Sequence, residues 1–268
     1  MEARDVLLIL AEKYQGDWEK MYVAIRDKED VSGIQGQRLL DRLTNKCAAT
    51  NTKYVTLLDE DYPSFLSKTQ KPPFVLFYDG DLSLVNQKEE GRIYVAGSGD
   101  TLSDFGKRAA VKIAMDIAKE GQHTLVTTDV SAAEIAIQKV AHLLPGTPMK
   151  TVLVTQSAVN NTGKNRVLAN NIVLGGGLVM STIPVGSAAE EKKAATQLAS
   201  NLGSGNIIVV ELGGTSGKQF LEDAGINTLL IRYGYAVIHD ITLATADGCH
   251  ELVTESVFEP YLGDLHIY

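Results

Sequence analysis

From Ile93 onward the chain alternates short apolar runs with helix-like segments, and that alternation leaves few folds open. IYVAG (93–97), TLVTT (124–128), TVLVT (151–155), LVMST (178–182), NIIVVEL (206–212) and TLLIRY (228–233) have the texture of buried strands. Between them lie segments with helical spacing, at 104–119, 131–143, 163–174, 187–202 and 216–224. Parallel strands cannot be joined by a tight hairpin, so each needs a crossover of about a dozen residues, usually a helix. Helices covering both faces of the sheet explain why its strands read as continuous apolar runs rather than alternating ones. The expectation is an α/β fold, a Rossmann-like doubly wound, mostly parallel sheet with ligands beyond the carboxyl ends of its strands.

The flanking segments read differently. Residues 1–52 predict a small helical domain: Val6, Leu7, Leu10 and Tyr14 share one face, and Trp18, Met21, Tyr22 and Ile25 form a second. Ser32 and Gly33 then mark the start of a short basic helix in SGIQGQRLLDRL. Its GIQG is similar to the turn of helix-hairpin-helix modules, but a helical packing domain is the simpler reading. Residues 53–240 are expected to form the Rossmann-like domain, and 241–268 a C-terminal extension packed on its core. Pro63 and the pair Pro72-Pro73 forbid a continuous helix ahead of Phe74–Tyr78, a strand expected to end at Asp79-Gly80.

Charge constrains the partner. With 25 Lys and Arg against 33 Asp and Glu, the net charge is −8, so any nucleic acid must be held by a local cationic patch. No run approaches twenty apolar residues, so no membrane span is expected. The start MEARDVLLILAEKY lacks the basic leader of a signal peptide. Cys47 and Cys249 are far apart and read as core thiols in a reduced, cytoplasmic setting. The five histidines are scattered, with neither a metal-binding pair nor a nucleophile elbow around them. His239 and Asp240 are the one His–acid neighbour pair that follows a strand. No catalytic set, metal or cofactor is expected.

Three strand exits carry the candidate site. In YVAGSGDTLSDFGKRAA (94–110), Gly97, Ser98 and Gly99 allow a tight turn, Asp104 is placed to cap a helix, and Lys107 and Arg108 follow. Amides at such a helix start point toward an anion. The dinucleotide fingerprint GxGxxG is incomplete because the next glycine is Gly106, and the ribose-binding acid has only Asp129 as a candidate. A dehydrogenase is therefore disfavoured, and a plain strand-to-helix turn remains open. In TQSAVNNTGKNRVLANNI, Ser157 lies in a polar loop and Lys164, Asn165 and Arg166 open a helix, where ammonium and guanidinium groups suit a phosphate. A solvated basic helix start fits those residues equally. In ELGGTSGKQF, Gly213, Gly214, Thr215, Ser216, Gly217 and Lys218 form a second glycine-rich exit that could face the first across one crevice.

With these motifs in order, the sequence resembles the DNA-processing protein A (DprA/Smf) family. DEDYPSFLSKTQKPPFVLFYDGD (59–81) is similar to its YP-x-x-L … PP-x-x-L-x-x-x-G stretch, and YVAGSGDTLSDFGKRAA to its V-G-S-R … T-x-Y-G … A. GKNRVLANNIVLGGGLVMSTIPVG (163–186) is similar to E-N-x-x-L … G-L-L-L-S-E-x-P-x-G, and NIIVVELGGTSG (206–217) to V-V-E-A-x-x-x-S-G. The resemblance covers roughly residues 55–238. It implies a non-catalytic homodimer that binds single-stranded DNA and helps load a recombinase. Three departures weaken the implied cationic site. Gly99 stands where the family has arginine, TTDVSAAEIAI (127–137) lacks both glycines of Gly-Leu-Ala-x-Gly-Ile-Asp, and an Arg-Asn-Arg helix start is reduced to Lys192 and Lys193 in AEEKKAATQLAS. No aromatic row for stacking bases is evident. LGGTSGKQF also echoes the P-G-G-x-G-T-x-x-E of nucleoside-monophosphate phosphoribohydrolases. Leu212 replaces the proline and Phe220 stands at the position of the glutamate, so hydrolysis is not expected. Two readings stay open: a single-stranded-DNA binder with a weakened clamp, or a sensor or sponge for a small nucleotide-derived molecule in the same crevice. The ordered motifs favour the first, the acidic charge the second.

Overall fold

The computed structural model describes residues 1–86, 91–97, 123–143, 150–161, 163–203 and 207–209. In chain order the elements are α1 (Ala3–Tyr14), α2 (Trp18–Arg26), α3 (Ile34–Thr50), β1 (Lys53–Thr56), β2 (Val75–Gly80), α4 (Ser83–Asn86), β3 (Arg92–Ala96), β4 (Thr124–Thr128), α5 (Ala132–Leu143), β5 (Thr151–Val154), α6 (Arg166–Leu174), β6 (Leu178–Ser181), α7 (Lys192–Gly203) and β7 (Ile207–Val209). They belong to two compact units, Met1–Asn86 with Thr155–Lys192, and Gln87–Val154 with Lys193–Tyr268. The helices anticipated at 104–119 and 216–224, the strand at 228–233 and the extension 241–268 lie outside the described residues.

In the first unit, local capping sets the helix boundaries. Glu2 and Asp5 close a reciprocal box at the start of α1, and Asp17 accepts from Lys20 N at the start of α2 (3.1 Å). Leu7 to Ala11 are all buried in α1, against the Leu43 and Cys47 face of α3. The fully buried Glu12 receives Arg42 Nε at 2.7 Å and Lys46 Nζ at 2.8 Å on the same oxygen, tying α1 to α3. β2 pairs antiparallel with β1 on one side and with β6 on the other, with Phe77 opposite both Tyr54 and Ser181. Gly80 has φ +102, and a Cβ there would overlap the Gly177 carbonyl, so the bend into Asp81 requires glycine.

Several expectations shift. The helix after Gly33 runs seventeen residues, to Asn51 in the left-handed conformation, rather than stopping short. Tyr22 and Ile25, expected on a buried face of α2, are 45% and 38% exposed, while Met21 and Ala24 turn inward. β1 is an edge strand of four residues, too short to announce itself by periodicity. β2 continues through Asp79-Gly80. α7 starts at Lys192, not 187. Ser187 instead closes a turn, donating its N–H to Pro184 O and accepting Ala189 N on its hydroxyl, and Glu191 N bonds Gln156 O.

The second unit carries the parallel strands. β5, β4, β3 and β7 lie side by side in that order, all parallel, with Tyr94 opposite both Val126 and Ile207. Every residue of β3, β4 and β5 is buried, as strands covered on both faces must be. Counted along the chain, these strands sit third, second, first, fourth, so the winding reverses between β3 and β7. That is the doubly wound α/β order anticipated from the sequence. Gly203 ends α7 against β3: a Cβ there would stand 2.7 Å from Tyr94 Cβ, so glycine lets helix and strand approach. Arg92 is 1% exposed and donates from Nε to Leu202 O at 2.7 Å.

Candidate nucleic-acid interface

In a sheet wound this way, ligands bind outside the carboxyl ends of the strands where the order reverses. Gly97 stands there, buried, directly after β3 and beside the β7 edge. Ser98, Gly99, Asp104, Lys107, Arg108, Gly213, Gly214, Thr215, Ser216, Gly217 and Lys218 lie outside the described residues.

The adjoining exit from β4 holds a buried polar cluster that sequence reasoning missed. Glu134, 1% exposed in the first turn of α5, accepts three hydrogen bonds. Tyr94 OH reaches Oε1 at 2.8 Å, while Thr128 Oγ1 and Ser131 N reach Oε2 at 2.6 and 3.2 Å. Glu134 N in turn donates to Ser131 Oγ at 3.2 Å. This is a capping box, and its S-x-x-E signature was present in TTDVSAAEIAI. Gln138, one turn on, donates to Thr128 O at 2.6 Å and Thr127 Oγ1 at 3.3 Å. The box fixes a turn where the resembled family uses two glycines. Burial pushes the Glu134 carboxyl up to about 7, although its hydrogen bonds from Thr128, Tyr94 and Ser131 pull the other way. The Tyr94 phenol is pushed well above its ordinary value, first by burial and then by the facing carboxylate. Asp129, the proposed ribose acid, is itself 6% exposed.

In the first unit, Ser157 is buried and its hydroxyl donates to Asn161 O at 2.7 Å, while Thr155 Oγ1 donates to Ser157 O at 2.7 Å. The turn they close leads into a 3-10 turn, Gly163–Asn165, that contains Lys164 and delivers Asn165 to the N-cap of α6. Arg166 is the first residue of α6 and is exposed; Lys192 and Lys193 open α7 and are exposed. Neither helix has an acidic residue in its first turn, whereas α1, α2 and α5 do. Cations at the positive end of a helix dipole are unfavourable by a few tenths of a kcal/mol to about 1 kcal/mol, and a bound anion relieves that repulsion. Glu190 and Glu191 immediately precede α7 and offset part of its charge. Among the described residues no group of His, Cys, Asp and Glu could hold a metal ion, and no helix is long and apolar enough to cross a membrane.

The model of the family described as DNA recombination-mediator protein A matches residues 53–259, more than half of the chain. The chain belongs to that family. Its fold is similar to that of DNA processing protein A from Streptococcus pneumoniae, with TM-score 0.57 and 19% identity over 99% of this chain and 94% of that one. It is also similar to DNA processing protein A from Helicobacter pylori, with TM-score 0.53 and 18% identity over 80% and 98%. At these identities the likeness concerns the fold, and it fits the α/β Rossmann-like arrangement. No curated protein matches.

Proposed function

We propose that this family member binds single-stranded DNA without catalysing a reaction on it, and holds the strand through a reduced set of cations. The observation that carries the reading is the pair of helices α6 and α7, which open on exposed Arg166, Lys192 and Lys193 with no acid in the first turn. Family membership supports it, as does the Helicobacter pylori neighbour, a protein described by its single-stranded DNA binding mode. The division of labour proposed is a helical domain at 1–52, a Rossmann-like binding domain at 53–240 and an extension at 241–268, acting as a homodimer that hands the strand to a recombinase. Gly97 to Gly99, Lys107, Arg108, Ser157, Lys164 to Arg166 and the Gly213–Lys218 loop complete the proposed phosphate contacts.

The net charge of −8 favours a second reading, in which the same strand ends hold a small nucleotide-derived molecule. Titration of fluorescently labelled oligo-dT, followed by anisotropy at low and moderate salt, separates the two. Micromolar or tighter binding that weakens with salt supports the first. No binding at micromolar protein overturns it, and a rise in melting temperature with one member of a nucleotide library would then support the second.

A further inference from the structure

The sequence shows no row of aromatic residues, yet folding assembles one in the helical region. Trp18 and Tyr22, one turn apart on α2, have ring centroids 5.0 Å apart and planes inclined by 8°. Phe74, at the entrance to β2, stacks on the same Trp18 at 5.4 Å and 13°. Trp18 Nε1 donates to Pro72 O at 2.8 Å, which fixes the indole plane, and Lys71 Nζ lies 5.2 Å from its centroid. The group is thus preorganised, and it is open on one side: Tyr22 is 45% exposed, and its neighbour Val23 41%.

We propose that Tyr22, backed by Trp18 and Phe74, is a stacking platform for an unpaired base of the single strand. The inference rests on the single-stranded DNA reading above. Two observations select a base as the occupant. The rings are nearly parallel, and a flat π surface extends such a group with little loss of side-chain freedom on either partner. The cation at the platform is already matched, Lys71 with Glu19, as are the two other cations of α2, Lys20 with Asp17 at 2.7 Å and Arg26 with Asp27 at 2.8 Å. These exposed pairs contribute little and exchange readily with a phosphate. The local charge is therefore balanced, so attraction must come from stacking, the one term in single-strand binding that an acidic chain retains undiminished.

Trp18 is the only tryptophan in the chain, so its emission reports on this platform alone. The full-length protein is titrated with labelled oligo-dT while oligonucleotide anisotropy and Trp18 emission are read together. Quenching of Trp18 with the same midpoint as the anisotropy change is expected, and an abasic strand of equal length should bind without quenching. Tyr22→Ala should weaken binding about tenfold, by an amount that persists as salt rises, and Tyr22→Phe should restore it. Binding by anisotropy with unchanged Trp18 emission, and with wild-type affinity in Tyr22→Ala, overturns the platform and leaves the proposed function standing. Absence of any binding overturns both. Quenching by a proline-rich peptide but not by oligo-dT overturns the platform in favour of a protein partner.

Discussion

Glu134 supplies the sharpest quantitative test of the structure. A free glutamate has a pKa of 4.5, whereas burial raises this one to about 7 in the folded protein. Below pH 4.5 the carboxyl is protonated in both the folded and unfolded chain. Between 4.5 and about 7 the folded chain keeps a proton that the unfolded chain has released, so stability falls as pH rises. Above about 7 the loss levels off. A shift of this size corresponds to about 3 kcal/mol of stability lost across the window. The described groups facing the carboxyl are the Tyr94 phenol, the Thr128 hydroxyl and the Ser131 amide, with Gln138 and the acid Asp129 close by in sequence. None of them is a cation that could hold Glu134 ionised.

Glu134→Gln removes the titration. The amide oxygen can take the place of Oε2 and accept from Thr128 Oγ1 and Ser131 N, while the amide nitrogen donates to the Tyr94 hydroxyl. No partner is left facing a like group, so the substitution carries little pH-independent penalty. Urea unfolding of both proteins from pH 4.5 to 8 checks this, with the difference between the two curves removing contributions shared by other groups. Far-UV circular dichroism is the right probe, since Trp18 lies in the other unit. The two proteins should be about equally stable at pH 4.5, and the variant should become the more stable, by up to about 3 kcal/mol, as the pH rises to 8. Parallel curves would refute the reasoning, because they would mean that Glu134 titrates as an ordinary glutamate.

Three other outcomes follow from particular contacts. Glu12→Ala frees Arg42 and Lys46, which are partly exposed and can turn to water, so it should destabilise less than the double substitution Arg42→Ala/Lys46→Ala. The double change strands a carboxylate that is 1% exposed and should reduce unfolding free energy by about 3–5 kcal/mol, read from denaturant midpoints. Gly80→Ala puts a side chain at φ +102 and into the Gly177 carbonyl, and should destabilise by about 2 kcal/mol or more in the same assay. Arg166→Ala and Lys192→Ala/Lys193→Ala should lower the salt slope of oligo-dT affinity by about 0.7 per cation that contacts a phosphate; an unchanged slope removes those residues from the interface.

The alternation of runs after Ile93 determined the α/β class. A parallel strand covered on both faces must be apolar throughout, and its crossover must be long, so the pattern is imposed locally and can be read locally. β4 was legible to its end residues for that reason, and β3, β5 and β6 nearly so. The motif order that marked the family was likewise visible in the chain. Elsewhere, contacts distant in sequence decided the outcome. Ser131-x-x-Glu134 was a readable cap, but only the packing of α5 against β3 and β4 buried Glu134 beneath Tyr94 and moved its proton affinity. Trp18 and Phe74 are 56 positions apart, so no periodicity links them. Their stack exists because α2 and the segment entering β2 meet in the folded unit. Sequence patterns record what each segment does with water; which side chains meet once water is excluded is settled by the tertiary structure.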